Sequence, residues 1–258
     1  MSYPELKYKP LVEAIFEIRW KIHQKVPGIT ADPHYRLLLG RLYDRLQSQY
    51  PEHEQLETAN IPDEMSGHLP QHRFRTGPND WPLVQLGPGI CTVNDTSKYK
   101  WEDYRGRVVD AKVKLFDAFP KPTDLQVENL TLRYIDAVEF DYEKNCVFEF
   151  LKQNLKTSVS LPSNLFQGTG VEPLPQHFQS QQRYRSKQPS GIIQLRFSTG
   201  QRSDKPSLIW ETTVQSMGAD LPDMTKGFEF WLDQAHTLAN DWFFKMIDGK
   251  LQRRFAGE

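Results

Sequence analysis

Cysteine is scarce in this sequence, and long apolar runs are missing. Only Cys91 and Cys146 occur among the 258 residues, and neither has a partner at metal-ligand spacing. We expect both to be reduced thiols, as is usual in cytosolic proteins. No stretch approaches the length of a membrane span, and the first ten residues lack the apolar run of a signal peptide. These absences predict a soluble, cytoplasmic protein that does not insert into a membrane.

Neither sign of charge is in excess. Lys and Arg total 32 against 33 Asp and Glu, which gives a net charge of -1. No global field would then draw the protein to phosphate or to anionic lipid, so any binding of nucleic acid would need a local basic patch. Hydrophobic residues make up 38% of the chain and aromatic residues 12%, which is enough for a sizeable core.

The common catalytic and cofactor motifs are missing as well. The P-loop, dinucleotide-binding and nucleophile-elbow patterns do not occur. Gly87 and Gly89 flank a proline and predict a strand turn. His68 and His72 have a spacing seen in metal motifs on helices, but Pro70 lies between them and favours a polar loop. The sequence therefore predicts no cofactor, no metal ion and no recognisable catalytic group.

Apolar periodicity predicts strands and helices in a definite order in the first half. Strict alternation from Val12 to Trp20 predicts a strand with one apolar face. The further elements expected are a helix from Tyr35 to Tyr50 capped by Thr30 or Asp32, a short strand at 72–75, strands on both sides of a turn within 83–93, and a long helix from near Ser97 to Phe119.

The second half repeats this order. Its expected elements are a strand at 127–140, a short helix at 147–155, strands at 178–185, 192–197 and 207–214, and a long helix at 228–247. We therefore predict an α+β protein built from a duplicated unit, residues 1–122 and 123–258, packed as one structural unit. Short connections favour an antiparallel, curved sheet with helices on one face, an arrangement that resembles the TATA-binding-protein fold.

Such a sheet would leave one polar face without helices. Charged residues alternate with apolar ones along the predicted strands, so they should project together from the face opposite the core. Mixed charge on a broad surface suits specific docking of a protein. The predicted partner-binding residues are Glu13, Glu17, Arg19, Arg133, Arg196 and Glu211.

Three segments together resemble a sporadically distributed family of uncharacterised bacterial proteins. They are PLVEAIFEIRW at Pro10, LTLRYIDAVEF at Leu130, and the last helix with Ala235-His236 followed by Trp242-Phe243-Phe244. The resemblance spans nearly the whole chain, although Asp136 stands where Asn is common in the central element of the family. The patchy distribution of the family implies an accessory gene of the toxin–antitoxin or phage-defence kind and implies no particular activity.

Two binding functions are compatible with these features. The first is a non-enzymatic protein that docks a protein partner, such as a toxin or defence effector, through the open face. The second is a nucleic-acid-binding protein, because cations neutralise phosphate and aromatic rings stack on bases. Its predicted contacts are Arg183, Tyr184, Arg185 and Lys187, which equally suit a solvated edge strand. A homo-oligomer is possible with either function.

The third hypothesis is an enzyme with His236 as a general base. The alternative is that His236 is partly buried and hydrogen-bonds a neighbouring strand. Tyr134 and Asp136 project to the apolar face and could make similar bonds between elements. The geometry around His236 would discriminate between these two roles, because a closely packed ring without an adjoining cavity would leave no room for substrate.

Overall fold

Nine strands form one antiparallel sheet through the molecule. The computed structural model describes residues 3–26, 29–62, 65–96 and 98–258. The strands are β1 Leu11–Trp20, β2 His23–Val26, β3 Ile29–Ala31, β4 Glu52–Gln55, β5 His72–Arg75, β6 Leu83–Gly87, β7 Ile90–Asp95, β8 Val127–Glu139, β9 Gln179–Lys187, β10 Ser190–Arg202 and β11 Lys205–Met217. The helices are α1 Tyr35–Leu46, α2 Trp101–Ala118, α3 Val147–Asn154, α4 Phe228–Ile247 and α5 Lys250–Ala256.

The strand order shows the duplication. The sheet runs β4-β5-β6-β7-β1-β8-β11-β10-β9, and β2 and β3 form a separate hairpin. Each half contributes four strands in a corresponding order from the centre outwards, which is β1-β7-β6-β5 in the first half and β8-β11-β10-β9 in the second. Antiparallel pairing of β1 with β8 joins the two halves. The prediction of an α+β fold with a duplicated unit and an antiparallel curved sheet is confirmed. The predicted repeat boundary at residue 122 falls in a 3-10 turn, Pro122–Asp124, just before β8.

The helices cover one face of the sheet because the strands alternate apolar and polar residues. Phe16 and Ile18 of β1 are almost fully buried and belong to a core cluster that includes Tyr104 of α2. In the second half, Trp210 of β11 lies in a second cluster with Phe244 of α4. Burying a large apolar side chain contributes roughly 2 to 3 kcal/mol, so the two clusters hold the helices on the sheet.

Most predicted elements are confirmed, and the differences have local causes. The edge strand β4 was not expected, because its four residues EHEQ are all polar and exposed and so have no apolar alternation. The second long helix begins at Trp101, and Ser97 lies outside the described residues. Asp32 accepts a hydrogen bond from the backbone N–H of His34 at the start of α1, whereas the side chain of Thr30 lies outside the described part.

The chain ends in a helix that follows the predicted helix at 228–247. The segment Gln252 to Phe255 belongs to a separate short helix, α5. Gly249 lies between α4 and α5 and interrupts the helical conformation with a φ of 104°, a positive value that glycine adopts at little cost. None of the helices in the described part of the chain is long and apolar enough to cross a membrane.

Candidate functional site

A cavity of about 440 Å³ lies where the two halves of the fold meet. Strands β8 and β11 form its floor, the start of α2 and the middle of α4 form two walls, and the segment from Tyr3 to Leu11 closes a third side. Ligand cavities commonly form at such junctions between structural units, and this volume lies within the range of small-molecule sites. His236 lines the cavity, so its ring has an adjoining cavity.

Strand alternation places polar groups on the cavity floor. In the register of β8 and β11, Tyr134 lies opposite Thr212 and Asp136 lies opposite Trp210. All four side chains project to the face that carries the helices, where most neighbours are apolar. Asp136, Thr212 and Trp210 are 3%, 1% and 0% exposed, so their polar atoms depend on partners inside the protein.

These buried groups do not find such partners within the described residues. The Thr212 hydroxyl and the Trp210 indole N–H make no hydrogen bond there. The Asp136 carboxylate makes no side-chain hydrogen bond or ion pair to a described residue either. A buried polar group without any partner costs about 1 to 3 kcal/mol, so the Thr212 hydroxyl and the Asp136 carboxyl require partners that enter the cavity, either water or a ligand.

Burial controls the charge of Asp136. It raises the pKa of the Asp136 carboxyl to about 8, while the positive charge of Arg202 acts in the opposite direction. Arg202 makes no ion pair with Asp136, and its guanidinium donates hydrogen bonds to the backbone carbonyls of Pro10 and Ala137. At neutral pH the carboxyl of Asp136 is therefore mostly protonated.

A chain of three hydrogen-bonding side chains crosses from α2 to α4. The Tyr99 and Tyr134 hydroxyl oxygens lie 2.9 Å apart, and the Tyr134 hydroxyl lies 2.9 Å from Nδ1 of His236. Trp101 stacks on the imidazole of His236, with ring centroids 3.8 Å apart and an interplanar angle of 7°. The expected hydrogen bond from His236 to a neighbouring strand is confirmed, and Tyr134 makes it, whereas Asp136 does not make the bond expected of it.

One arrangement of this chain gives both tyrosine hydroxyl hydrogens an acceptor. Burial lowers the pKa of His236 to about 4, so the imidazole is neutral at pH 7 and carries a single N–H. Tyr99 has no other side-chain partner in the described part of the chain, so its O–H donates to Tyr134 and the Tyr134 O–H donates to Nδ1. The proton of His236 then resides on Nε2, which makes this ring a hydrogen-bond donor there and a poor general base.

The segment before β1 closes the cavity mouth. Tyr3 stacks on Phe244 with ring centroids 4.3 Å apart, and its hydroxyl donates to Asp241 at 2.6 Å. Lys9 donates through Nζ to the backbone carbonyl of Tyr99 at 2.9 Å. The cavity wall thus depends on residues far apart in the sequence.

The six predicted partner-binding residues all project from the sheet face opposite the helices. Arg133 of β8 pairs with Ile15 of β1, which lies between Glu13 and Glu17 on the same face. Arg196 of β10 pairs with Glu211 of β11. Their charges are largely paired with one another. The ion pairs are Arg19 with Glu17 at 2.7 Å, Arg196 with Glu211 at 3.2 Å and Arg133 with Glu211 at 3.9 Å, and Glu13 accepts a hydrogen bond from Asn94.

The predicted nucleic-acid cluster is divided between the two faces of β9. Arg183 donates to Gln194, and Arg185 forms a two-pronged ion pair with Asp220 on the open side. Lys187 is exposed at the end of the strand. Tyr184 projects to the opposite side, where its ring lies 5.6 Å from that of Trp242. The cations and the aromatic ring therefore do not share one surface.

The remaining residues singled out in the sequence have structural neighbours. Burial raises the pKa of the Cys91 thiol to about 12, so this group stays protonated. His68 lies near the backbone carbonyl of Trp20 at 3.2 Å, and Nδ1 of His72 lies 2.9 Å from Nε2 of His53. No cluster of three or more potential metal ligands occurs among residues 3–26, 29–62, 65–96 and 98–258.

Sequence reasoning missed several residues of the cavity. Tyr99 and Trp101 fell within the long helix predicted from near Ser97 to Phe119, and Thr212 carried no signal beyond strand alternation. No protein-family model matches this chain, and a search of curated proteins gives no significant match.

Proposed function

We propose that the cavity between the two halves binds a small molecule. The observation that carries this proposal is the coincidence of buried, unpartnered polar groups with an open volume. Both Asp136 and Thr212 line the cavity. The Thr212 hydroxyl makes no hydrogen bond within the described residues, and the Asp136 side chain, which is 3% exposed, has no hydrogen bond or ion pair there. Nearly all buried polar groups in folded proteins are paired, so groups left unpaired beside a cavity are expected to find partners on a ligand.

The geometry supports binding better than catalysis by His236. The imidazole has a lowered pKa of about 4, and its Nδ1 is occupied by Tyr134. A general base needs a free nitrogen and a pKa near the working pH. His236 instead orients a donor towards a ligand, and its stacking on Trp101 fixes the ring plane.

A screen with a blocked cavity tests this proposal. Asn240 lines the cavity from α4, is half-buried and makes no side-chain hydrogen bond in the described part, so Asn240→Trp should fill the space at small cost. Gln234→Trp on the same helix is the matched control, because Gln234 does not line the cavity. We expect some compounds of a diverse fragment library to raise the melting temperature of the wild type and the control but not of Asn240→Trp. Equal responses in all three proteins, or no responding compound, would contradict the proposal.

Docking of a protein partner on the open face is a second candidate. The specific observation in its favour is that all six predicted residues share that face and bear both signs of charge. Alanine replacements of Arg19, Arg133 and Arg196 should weaken such a complex, isolated from the native host, without unfolding the monomer. Unchanged affinity in all three variants would remove this face from consideration.

Two further proposals rest on the sequence alone. Membership of the bacterial family, with its implied defence or toxin–antitoxin context, follows from the resemblance of three segments. Nucleic-acid binding through Arg183, Arg185 and Lys187 is the weaker alternative, because Arg185 is already paired with Asp220. Such binding should fall steeply as salt rises, and an affinity that is flat between low and physiological salt would argue against it.

A further inference from the structure

With Asp136 ionised, the polar floor of the cavity has more acceptors than donors, because its donors are the Thr212 hydroxyl and the Nε2–H of His236. Its ionisable group is Asp136, with two oxygens free of partners among the described residues. The Thr212 hydroxyl lies on the adjacent strand, and Tyr99 keeps unused lone pairs because it donates to Tyr134. An ammonium group has three donors and no acceptor, so it complements this arrangement.

The walls suit an apolar body that carries a cation. Trp101, Phe243 and Phe244 line the cavity together with aliphatic side chains. Aromatic rings attract cations through their electron-rich faces and also bury hydrocarbon. A ligand with a cationic end and a hydrocarbon body would therefore contact favourable surface at both ends.

Within the described residues no cation forms an ion pair with Asp136, and the charge of Arg202 only partly offsets the effect of burial on its carboxyl. The charged side chains at the walls and mouth are Glu5, Lys9, Lys100 and Glu102, two of each sign. Lys9 is held by the backbone carbonyl of Tyr99, and Arg202 lies outside the lining and is held by two backbone carbonyls. The neutral His236 adds no positive charge at pH 7. A buried carboxylate without a counter-ion is costly, and a ligand cation would remove that cost.

From this geometry we infer that the ligand is a primary amine with an apolar body, held by an ion pair between its ammonium group and the Asp136 carboxylate. The inference rests on the proposed function, because it names the ligand class of the same cavity. Binding converts the neutral acid to a carboxylate, and the proton that leaves Asp136 passes to the buffer while the ammonium keeps all its hydrogens. Each bound amine should therefore release close to one proton at pH 6.

The test uses three hexyl compounds of similar shape. Titration calorimetry of n-hexylammonium, 1-hexanol and hexanoate compares a cation, a neutral group and an anion in the wild type. We expect the amine to bind at least tenfold more tightly than the alcohol at pH 8. The affinity for the amine should rise about tenfold from pH 6 to pH 7, because Asp136 is protonated in the free protein over this range and must lose its proton when the amine binds. Buffers with different enthalpies of ionisation count the released protons.

Two variants test whether Asp136 is the group that binds the ammonium. Asp136→Asn should reduce the amine to the affinity of the alcohol and remove the pH dependence. Asp220→Asn is the matched control, since Asp220 is paired with Arg185 away from the cavity and should leave binding unchanged.

The outcomes separate this inference from the proposed function. Equal binding of amine and alcohol, blocked by Asn240→Trp, would keep the ligand site and overturn the amine. Tighter binding of hexanoate, or no binding of the hexyl series while library compounds still bind, would also overturn it. If no compound of either set binds the cavity, the proposed function fails and this inference fails with it.

Discussion

Replacing Asp136 with Asn should change how the stability of the free protein depends on pH. Burial raises the pKa of this carboxyl to about 8, against an ordinary value of 3.8. Between these values the folded protein holds one proton more than the unfolded chain, so the free energy of unfolding falls by about 1.4 kcal/mol per pH unit. The Asn variant lacks this contribution. The difference in unfolding free energy, variant minus wild type, should therefore grow by about 2.5 kcal/mol between pH 5 and pH 7.

Titration of His236 does not disturb this comparison. Its pKa is lowered to about 4 from an ordinary 6.5, so between these values the unfolded chain binds the extra proton and the free energy of unfolding rises with pH. That rise is common to both proteins and cancels in the difference. Asp136 is also the group in which the two chains differ, so the slope reports its protonation alone.

Urea unfolding at pH 5, 6 and 7, followed by far-ultraviolet circular dichroism, measures the difference directly. Asp220→Asn is the control, because Arg185 and Ser190 lower the pKa of Asp220 in the folded protein and its ordinary pKa is 3.8, so Asp220 is largely ionised in both states over this range. The difference in unfolding free energy between Asp220→Asn and the wild type should be independent of pH. Parallel curves for Asp136→Asn would refute the reasoning, since they would mean that Asp136 is ionised in the folded protein and has a partner.

Three further predictions follow from individual contacts. Thr212→Val should raise the free energy of unfolding by about 1 kcal/mol, because it removes a buried hydroxyl without a described partner. Thr199→Val is the contrasting variant, because the Thr199 hydroxyl accepts a hydrogen bond from the backbone N–H of Phe178. It should lower the free energy of unfolding by a similar amount in the same urea assay. The His236 ring should show a neutral imidazole with its proton on Nε2 in ¹⁵N NMR at pH 6, and protonation near pH 6.5 would contradict the hydrogen-bond chain. Arg133→Ala should change the free energy of unfolding by less than about 1 kcal/mol, because its ion pair with Glu211 is long and partly exposed, and a larger loss would show that the open face is structurally important.

The sheet and its two faces could be predicted because each strand carries its own apolar alternation. Val12 to Trp20 gave the correct strand, the correct buried face and the correct polar face, and the same pattern at 127–140 located the central partner strand. The long helices followed from stripes at helical spacing and from the prolines that stop them. These signals are local, since each depends on residues within a few positions of one another.

The cavity could not be predicted in the same way because its parts are distant in sequence. Tyr99 lies 35 residues from Tyr134, and Tyr134 lies 102 residues from His236, so no local pattern joins them. The segment that includes Tyr3 and Lys9 has no regular structure and gave no periodic signal. Asp136 was recognisable only as an acid on an apolar strand face, and nothing local says whether such an acid has a partner.

The position of the unpartnered groups distinguishes a binding site from a packing defect. Other buried nitrogens without a hydrogen bond include the indole nitrogen of Trp210, which lies in the second core cluster outside the cavity lining. They also include the Nε atoms of Arg19 and Arg196, but each of these two side chains has an ion pair on the open face. Asp136 and Thr212 have neither an ion pair nor a side-chain hydrogen bond within the described residues. They lie on the adjacent strands β8 and β11, two positions apart in the register, and both line the floor of one cavity. A defect of packing would have no reason to recur on adjacent strands at the same volume. A ligand that supplies partners to both groups would therefore stabilise the folded protein.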